Sequence, residues 1–207
     1  MRKILLLAFL TVTSLTIAFQ TANAATFIQL DKTSMPWQGR IDWSRSYSIA
    51  NDTFDIRLHY ATNNKTEPHQ ITVWRNNQII FNKYLNPIDN GWYVRTYWEQ
   101  DRNLLFFSAS SANRAYLFGY NKATGKIVRY LDSKDFYAGF NKKNDWASPS
   151  IFAYTDGTLV LALFDGYDDA PINHTHIYRL DWDMQKDWLS YTDMGITSKK
   201  FSTIDIQ

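Results

Sequence analysis

Residues 115–131, Ala-Tyr-Leu-Phe-Gly-Tyr-Asn-Lys-Ala-Thr-Gly-Lys-Ile-Val-Arg-Tyr-Leu, predict two short β-strands joined by a turn. Aromatic side chains alternate with other residues along the first strand, at Tyr116, Phe118 and Tyr120, which is the period of an extended chain. Residues 121–125 interrupt this pattern, and Gly125 suits the positive φ that a short hairpin loop requires. Similar hairpins precede and follow this one, so the stretch serves as a template for the rest of the chain.

Three tryptophans, Trp43, Trp92 and Trp146, begin three similar units and lie 49 and 54 residues apart. In each unit a turn, an alternating apolar strand, a polar loop and a closing hairpin follow the tryptophan. The units span about residues 41–85, 86–131 and 143–193, and each predicts four short strands joined as a meander. Because the three tryptophans occur once per unit, a core position is favoured for them over an exposed one. Residues 133–143, between the second and third units, favour a short helix.

The composition predicts an all-β fold. The chain has 8 Trp, 13 Tyr and 13 Phe but only two glutamates, so strand formers are plentiful and strong helix formers are scarce. Four antiparallel strands per unit are typical of propeller blades. We therefore predict propeller-like antiparallel four-stranded meander repeats, about three units plus terminal strands, with a β-sandwich or barrel as the alternative. Since a propeller has at least four blades, residues 26–30 and 200–206 are candidates for a fourth small sheet, and oligomerisation is another way to close the ring.

The hairpin at residues 115–131 resembles the outer strands of propeller repeats of the quinoprotein and Kelch kind. In those repeats an aromatic strand runs through an x-Thr-Gly-Lys turn, here Ala123-Thr124-Gly125-Lys126, into an apolar strand. The resemblance extends in pattern over most of residues 41–193. It implies a fold and no activity, and no motif in the sequence matches the quinone-binding residues of the quinoprotein enzymes.

The first 24 residues have the pattern of a bacterial secretory signal peptide. Arg2 and Lys3 precede an apolar stretch at residues 4–19, and Ala22-Asn23-Ala24 is a small-x-small cleavage signal. Cleavage after Ala24 would leave residues 25–207 as a single exported β domain, periplasmic or secreted, with no membrane insertion. A retained membrane anchor is the alternative, which the short polar-interrupted stretch disfavours.

Charge and cysteine content narrow the classes of partner. Without Arg2 and Lys3 the acidic and basic residues balance, which argues against a nucleic-acid partner because such proteins carry a basic excess. Zero net charge also favours association, so a homo-oligomer is one expectation. The chain contains no cysteine, so packing rather than disulfides must stabilise this exported domain.

The densest group of chemically useful side chains lies in residues 165–176, in a loop longer than its counterparts in the other units. The candidate ligand-binding residues there are Asp165, Tyr167, Asp168, Asp169, His174 and His176. The two histidines are two apart and share one side of a strand, and with a carboxylate they are able to ligate a transition metal, whereas the aspartates alone suit calcium. The spacing matches neither an EF-hand loop nor a helical zinc signature, so a solvated loop is favoured and no metal or other cofactor is predicted.

The other functional signals are weaker. The sequence has no G-x-S-x-G, S-x-x-K or H-E-x-x-H motif and no Gly-rich phosphate loop, so an enzyme is not favoured. Trp74, Trp182 and Trp188 lie near hairpin ends, where partial exposure would mark a contact surface. The leading prediction is an exported non-catalytic binding protein whose partner is another protein. A carbohydrate-binding, lectin-like module and a hydrolase that uses residues 165–176 are the alternatives.

Overall fold

The computed structural model describes residues 25–30, 43–59, 69–85, 92–111, 114–139, 148–153, 157–165, 174–183 and 188–197. These residues form thirteen strands and one 3-10 helix, Ser133–Gly139. The strands are β1 Phe27–Gln29, β2 Trp43–Ile49, β3 Asp52–His59, β4 His69–Arg75, β5 Gln78–Leu85, β6 Tyr93–Glu99, β7 Leu104–Ser110, β8 Ala115–Asn121, β9 Lys126–Asp132, β10 Ser148–Ala153, β11 Leu159–Asp165, β12 His174–Asp183 and β13 Trp188–Thr197. No helix in this part of the chain is long and apolar enough to cross a membrane.

The strands assemble into three open sheets. The first sheet has the order β2-β3-β4-β5, the second β1-β6-β7-β8-β9 and the third β10-β11-β12-β13. Every pair of neighbouring strands is antiparallel, and within β2–β5, β6–β9 and β10–β13 strands that are consecutive in sequence are neighbours in the sheet. The predicted all-β fold of antiparallel four-stranded meanders is therefore confirmed, and the sheets do not close on themselves.

Strand β1 does not start a fourth sheet. It pairs with β6 at the edge of the second sheet, with Phe27 opposite Glu99. The side chain of Phe27 is buried against the ring of Phe106 at 5.4 Å, and its backbone N–H donates to the carbonyl oxygen of Gly157 at 2.9 Å. Burial of the Phe27 ring stabilises β1 at the edge of the second sheet more than pairing in a small separate sheet would. Residues 200–206, the other half of the expected sheet, lie outside the described residues.

Two local predictions are confirmed. Gly125 has a φ of 66° and donates its backbone N–H to the carbonyl oxygen of Asn121 at 2.8 Å. The side-chain oxygen of Asn121 accepts the N–H of Thr124 at 3.0 Å, which closes the turn from inside. The 3-10 helix Ser133–Gly139 lies where the sequence favoured a short helix.

The second sheet is the middle layer. Every residue of β7 is buried, because both faces of this strand are covered. On one face Phe107 stacks with Phe118 at 5.1 Å and contacts Phe81 of β5 at 6.2 Å. On the other face Phe106 contacts Trp182 of β12 at 5.2 Å. One continuous hydrophobic core thus joins all three sheets, and the first sheet is covered by the second on one face only.

Tyr97 of β6 connects the second and third sheets by a buried hydrogen bond. Its hydroxyl donates to the carbonyl oxygen of Ile151 at 2.7 Å, and the same oxygen accepts a second bond from Arg95 Nη1 at 3.1 Å. Complete burial raises the pKa of Tyr97 to about 12, because the phenolate would lose its hydration. Tyr97 therefore favours the folded state only while its phenol stays protonated.

We expect the stability of the protein to fall between about pH 10 and pH 12 in a way that depends on Tyr97. Tyrosines of the unfolded chain ionise near pH 10, so the contribution is complete below that pH and is lost as the pH rises through the folded value near 12. Two pKa units correspond to about 2–3 kcal/mol. Urea unfolding at pH 8 and pH 12 measures it, with Tyr97→Phe as the comparison. At pH 8 the variant loses one hydrogen bond, about 1 kcal/mol. By pH 12 the unmodified protein has lost about 2 kcal/mol through Tyr97, so the variant should then be the more stable protein by about 1 kcal/mol; equal deficits at both pH values would contradict the assignment.

Candidate functional site

The predicted loop site is only partly within the described residues. Asp165 ends β11 and His174 begins β12, and the two are paired opposite each other in the antiparallel register. Their side chains, and all of Tyr167, Asp168 and Asp169, lie outside the described residues. The assignment of these residues to a ligand site therefore stays a prediction.

The structure places the side chain of His176 against a residue that the sequence analysis did not select. His176 Nε2 is 2.6 Å from Asp193 Oδ1 of β13, and the imidazole stacks on the ring of Tyr178 at 4.4 Å. The hydrogen bond from His176, supported by the backbone N–H of Gly195, lowers the pKa of Asp193. Only the β12–β13 register, which sets Asp193 opposite Tyr178, would have revealed this pair. Across the described ranges, no three His, Asp or Glu side chains are grouped as a metal site requires.

The tryptophans divide into core and surface positions. Trp43 and Trp92 are 5% and 3% exposed, which confirms the core position predicted for them, and Trp146 lies outside the described residues. Trp182 is also buried, contrary to the expectation of partial exposure, because it packs between Phe106 and Tyr130. Trp74 of β4 is half-buried and faces the open side of the first sheet, as expected for a contact residue.

Alternation along β3 explains how the two faces of the first sheet differ. Phe54, Ile56 and Leu58 are buried against the second sheet, whereas Asp55 and Arg57, which lie between them, point away from it because successive side chains alternate across a strand. The face that carries Asp55, Arg57 and their neighbours is called here the outer face. It is the only face of this sheet that no other described sheet covers.

Antiparallel register aligns the outer face in rows across the four strands. One row has Ser46, Asp55, Trp74 and Ile79 opposite one another, from β2 to β5. The next row has Ser44, Arg57, Thr72 and Asn82. A third row has His59, Gln70 and Tyr84. Charged side chains on β3, the Trp74 ring on β4 and amide side chains on β4 and β5 therefore share one face of the sheet.

An irregularity in β5 shapes the end of the first row. The register shifts between Val73 and Trp74, so that Val73 pairs with Phe81 and Trp74 pairs with Ile79. Ile80 is the extra residue, and it packs against the core together with Phe81. The bulge leaves Ile79 on the outer face at 60% exposure, beside Trp74.

The outer face contains an open groove of about 610 Å³, a volume in the range of small-molecule sites. We call it the Trp74 groove. Its polar and aromatic lining includes Asp55, Arg57, Gln70, Thr72, Trp74 and Asn82.

Two interactions organise the stacking and charged groups of the groove. The guanidinium of Arg57 lies 4.6 Å from the centre of the Trp74 ring, a cation–π contact worth about 0.5–1 kcal/mol at an exposed site. The hydroxyl of Ser46 donates to Asp55 Oδ1. One cation and one anion, two residues apart on β3, thus lie side by side in the groove floor, and a second cation, Arg45 of β2, also lines the groove.

The amide groups of the groove form a cross-strand pair. Gln70 Nε2 on β4 donates to Asn82 Oδ1 on β5 at 2.8 Å. This bond uses one donor of Gln70 and one acceptor of Asn82. The amide nitrogen of Asn82 and the amide oxygen of Gln70 make no further hydrogen bond among the described residues, so a donor and an acceptor stay available side by side.

No protein-family model matches the chain, and neither a curated protein nor a solved structure shows significant similarity to it. The geometry and chemistry of the Trp74 groove are therefore the basis for the function proposed below.

Proposed function

We propose that this chain is an exported, non-catalytic binding protein and that the Trp74 groove is its ligand site. The observation that carries the proposal is the composition of the groove: an aromatic ring, a guanidinium, a carboxylate and paired amides on a sheet face that no other described sheet covers. Such convergent polar groups around an apolar surface are typical of binding sites. Because strands rather than loops carry all of them, their spacing is set by the register of the sheet.

Export and architecture belong to the same proposal. The signal-peptide pattern of residues 1–24 supports a periplasmic or secreted location in a bacterium. The stacking of three four-stranded meanders supports a propeller-like arrangement of the quinoprotein or Kelch kind, in which the outer face of the first sheet is the open face of a terminal blade.

A partner protein, the ligand that the sequence favoured, is the second candidate, and one feature of the outer face supports it. Ile79 and Tyr84 on β5 are 60% and 64% exposed and flank the groove. Together with Trp74 and Arg57 they are of the residue types that dominate protein–protein binding energy. A protein that docks over β4 and β5 would bury them.

Affinity capture from the cell envelope tests the proposal. The immobilised protein is compared with a groove variant, Trp74→Ala with Asn82→Ala, and with a control, Tyr191→Ala, which removes an exposed aromatic ring from the third sheet. Retained material is analysed for both protein and saccharide. We expect the unmodified protein and the control to retain the same component, and the groove variant to retain about a tenth as much or less, because central contacts carry most binding energy.

Two results of the capture experiment would contradict the proposal. Equal retention by all three proteins would show that binding does not use the groove. No specific component on the unmodified protein would remove the proposed binding function itself.

A further inference from the structure

We infer that the ligand of the Trp74 groove is a neutral saccharide, held by stacking on Trp74 and by hydrogen bonds to the amide and charged groups around it. This inference rests on the proposed function, because it names the chemical class that the groove binds. The juxtaposition that carries it is an aromatic ring in the same row as Asp55 and next to the row of Arg57 and Asn82.

The chemistry of a sugar ring matches this arrangement. One face of a pyranose is a patch of C–H groups, and hydroxyls that both donate and accept hydrogen bonds surround it. A tryptophan ring offers the largest flat apolar surface among side chains. Trp74 is half-buried, so its position on the sheet is constrained while part of its surface faces the groove.

The hydrogen-bonding capacity left in the groove suits hydroxyl groups. Asn82 retains amide donors and Gln70 retains an acceptor beside them. Arg57, whose contact is with the Trp74 ring, makes no hydrogen bond within the described part of the chain. A hydroxylated ligand is able to use all of these donors and acceptors, whereas an apolar one leaves them unpaired.

The carboxylate of Asp55 disfavours an anionic ligand, although a second arginine, Arg45, also lines the groove. Asp55 and Arg57 are two residues apart on one strand, and both line the groove. A phosphate or polyanion that approached Arg57 would also approach the carboxylate of Asp55, and like charges at that distance repel. The balanced pair instead offers one acceptor and several donors to a ligand without net charge.

The floor of the groove also favours a saccharide over a protein. Ser44, Ser46 and Thr72 lie between the larger groups, and serine and aspartate are depleted in the centre of protein–protein interfaces. The strongly exposed apolar side chains, Ile79 and Tyr84, both belong to β5 at the rim of the sheet. A protein hot spot would place such residues at the centre.

The guanidinium of Arg57 changes its contact partner when a sugar binds. This guanidinium lies over the Trp74 ring, 4.6 Å from the ring centre. Stacking of a sugar on that surface displaces the guanidinium, whose donors then turn to the ligand hydroxyls. The exposed cation–π contact is weak, so its loss reduces the free energy of binding only slightly.

The test uses an array of defined neutral and N-acetylated oligosaccharides, followed by calorimetric titration of the purified protein with each soluble sugar that binds. We expect at least one sugar to bind. Trp74→Ala should weaken that binding about tenfold or more through loss of the stacking surface, whereas Trp74→Phe retains a ring and most of the affinity. Asn82→Ala should weaken it about two- to tenfold, the value of one hydrogen bond. Tyr191→Ala should leave it unchanged.

Two further outcomes would overturn the inference and separate it from the proposed function. If no sugar on the array binds while envelope capture retains a protein that the groove variant loses, the groove binds a protein and the saccharide inference is wrong. If sugars bind equally to the unmodified protein, Trp74→Phe and Asn82→Ala, they bind elsewhere. Asn82 is exposed, so Asn82→Ala keeps the test decisive even if Trp74→Ala fails to fold.

Discussion

Phe106→Ala is expected to lower the free energy of unfolding by about 3–5 kcal/mol, the usual cost of removing a buried phenylalanine ring. Phe106 is fully buried, and its ring contacts Phe27 at 5.4 Å, Tyr130 at 5.7 Å and Trp182 at 5.2 Å. These partners belong to β1, β9 and β12, so the cavity would open where the second and third sheets meet. The neighbouring rings are held by their own contacts and cannot collapse fully into the space.

Urea unfolding at neutral pH measures this effect, because the unfolding free energy falls linearly with denaturant. Tyr84→Ala is the matched control, since Tyr84 is an aromatic residue of similar size that is 64% exposed. We expect the control to change the unfolding free energy by about 0.5 kcal/mol or less. Similar losses for both variants would show that Phe106 does not occupy the centre of the core.

Gly119→Ala is expected to destabilise the protein by about 3 kcal/mol through overpacking. Gly119 lies opposite Phe106 in the β7–β8 pair. A Cβ at this position would lie 2.5 Å from Cδ1 and Cε1 of the Phe106 ring and 2.7 Å from Cε2 of Tyr130. Both rings are packed on their other sides, so neither moves away without disturbing the core. Elsewhere in a strand the same substitution would be mildly favourable.

A double-mutant cycle separates overpacking from any other effect of the added methyl group. In the Phe106→Ala background the ring that meets the new Cβ is absent, so Gly119→Ala should then cost about 1 kcal/mol or less, the remainder reflecting Tyr130. An interaction energy of about 2 kcal/mol between the two sites is within the range for residues in contact. Strict additivity of the two substitutions would contradict the close approach of Gly119 and Phe106.

Local features of the fold were accessible from the sequence because they depend on neighbouring residues. The hairpin at residues 115–131 is determined by local features: alternating aromatic residues, a turn closed by the Asn121 side chain, and Gly125 at the position with a φ of 66°. The burial of Trp43 and Trp92 was likewise predictable, because a large apolar residue that begins each unit is most simply a packing residue. The alternation of apolar and polar residues in β3 likewise predicts that Asp55 and Arg57 lie on the opposite face from its buried residues.

The candidate groove was only partly accessible. The sequence placed Trp74 near a hairpin end and predicted partial exposure for it. It did not bring together Asp55 of β3, Gln70 of β4 and Asn82 of the bulged strand β5, because their proximity depends on the register of the three strands. A careful pairing of β3 with β4 would have set Asp55 opposite Trp74. The bulge that selects Ile79 over Ile80 has no comparable signal in the chain.

Trp182 shows why exposure near a hairpin end was not decided by the sequence. The same argument applied to Trp74 and Trp182, yet Trp74 faces the groove and Trp182 is buried between Phe106 and Tyr130. The difference is which face of each sheet meets a neighbour. That depends on the stacking of sheets far apart in sequence.

By itself, the sequence determined the class of the fold, the antiparallel meanders and the chemistry of their turns, because strand periodicity and backbone preferences act over a few residues. Tertiary structure alone decided that the second sheet is the middle layer, that β1 joins it beside β6, and that no other described sheet packs on the outer face of the first sheet. Those choices depend on burying the largest apolar area at once, with Phe27, Phe81, Phe106 and Trp182 brought together from four different strands. The Trp74 groove exists because the face opposite that burial is polar enough to remain in water.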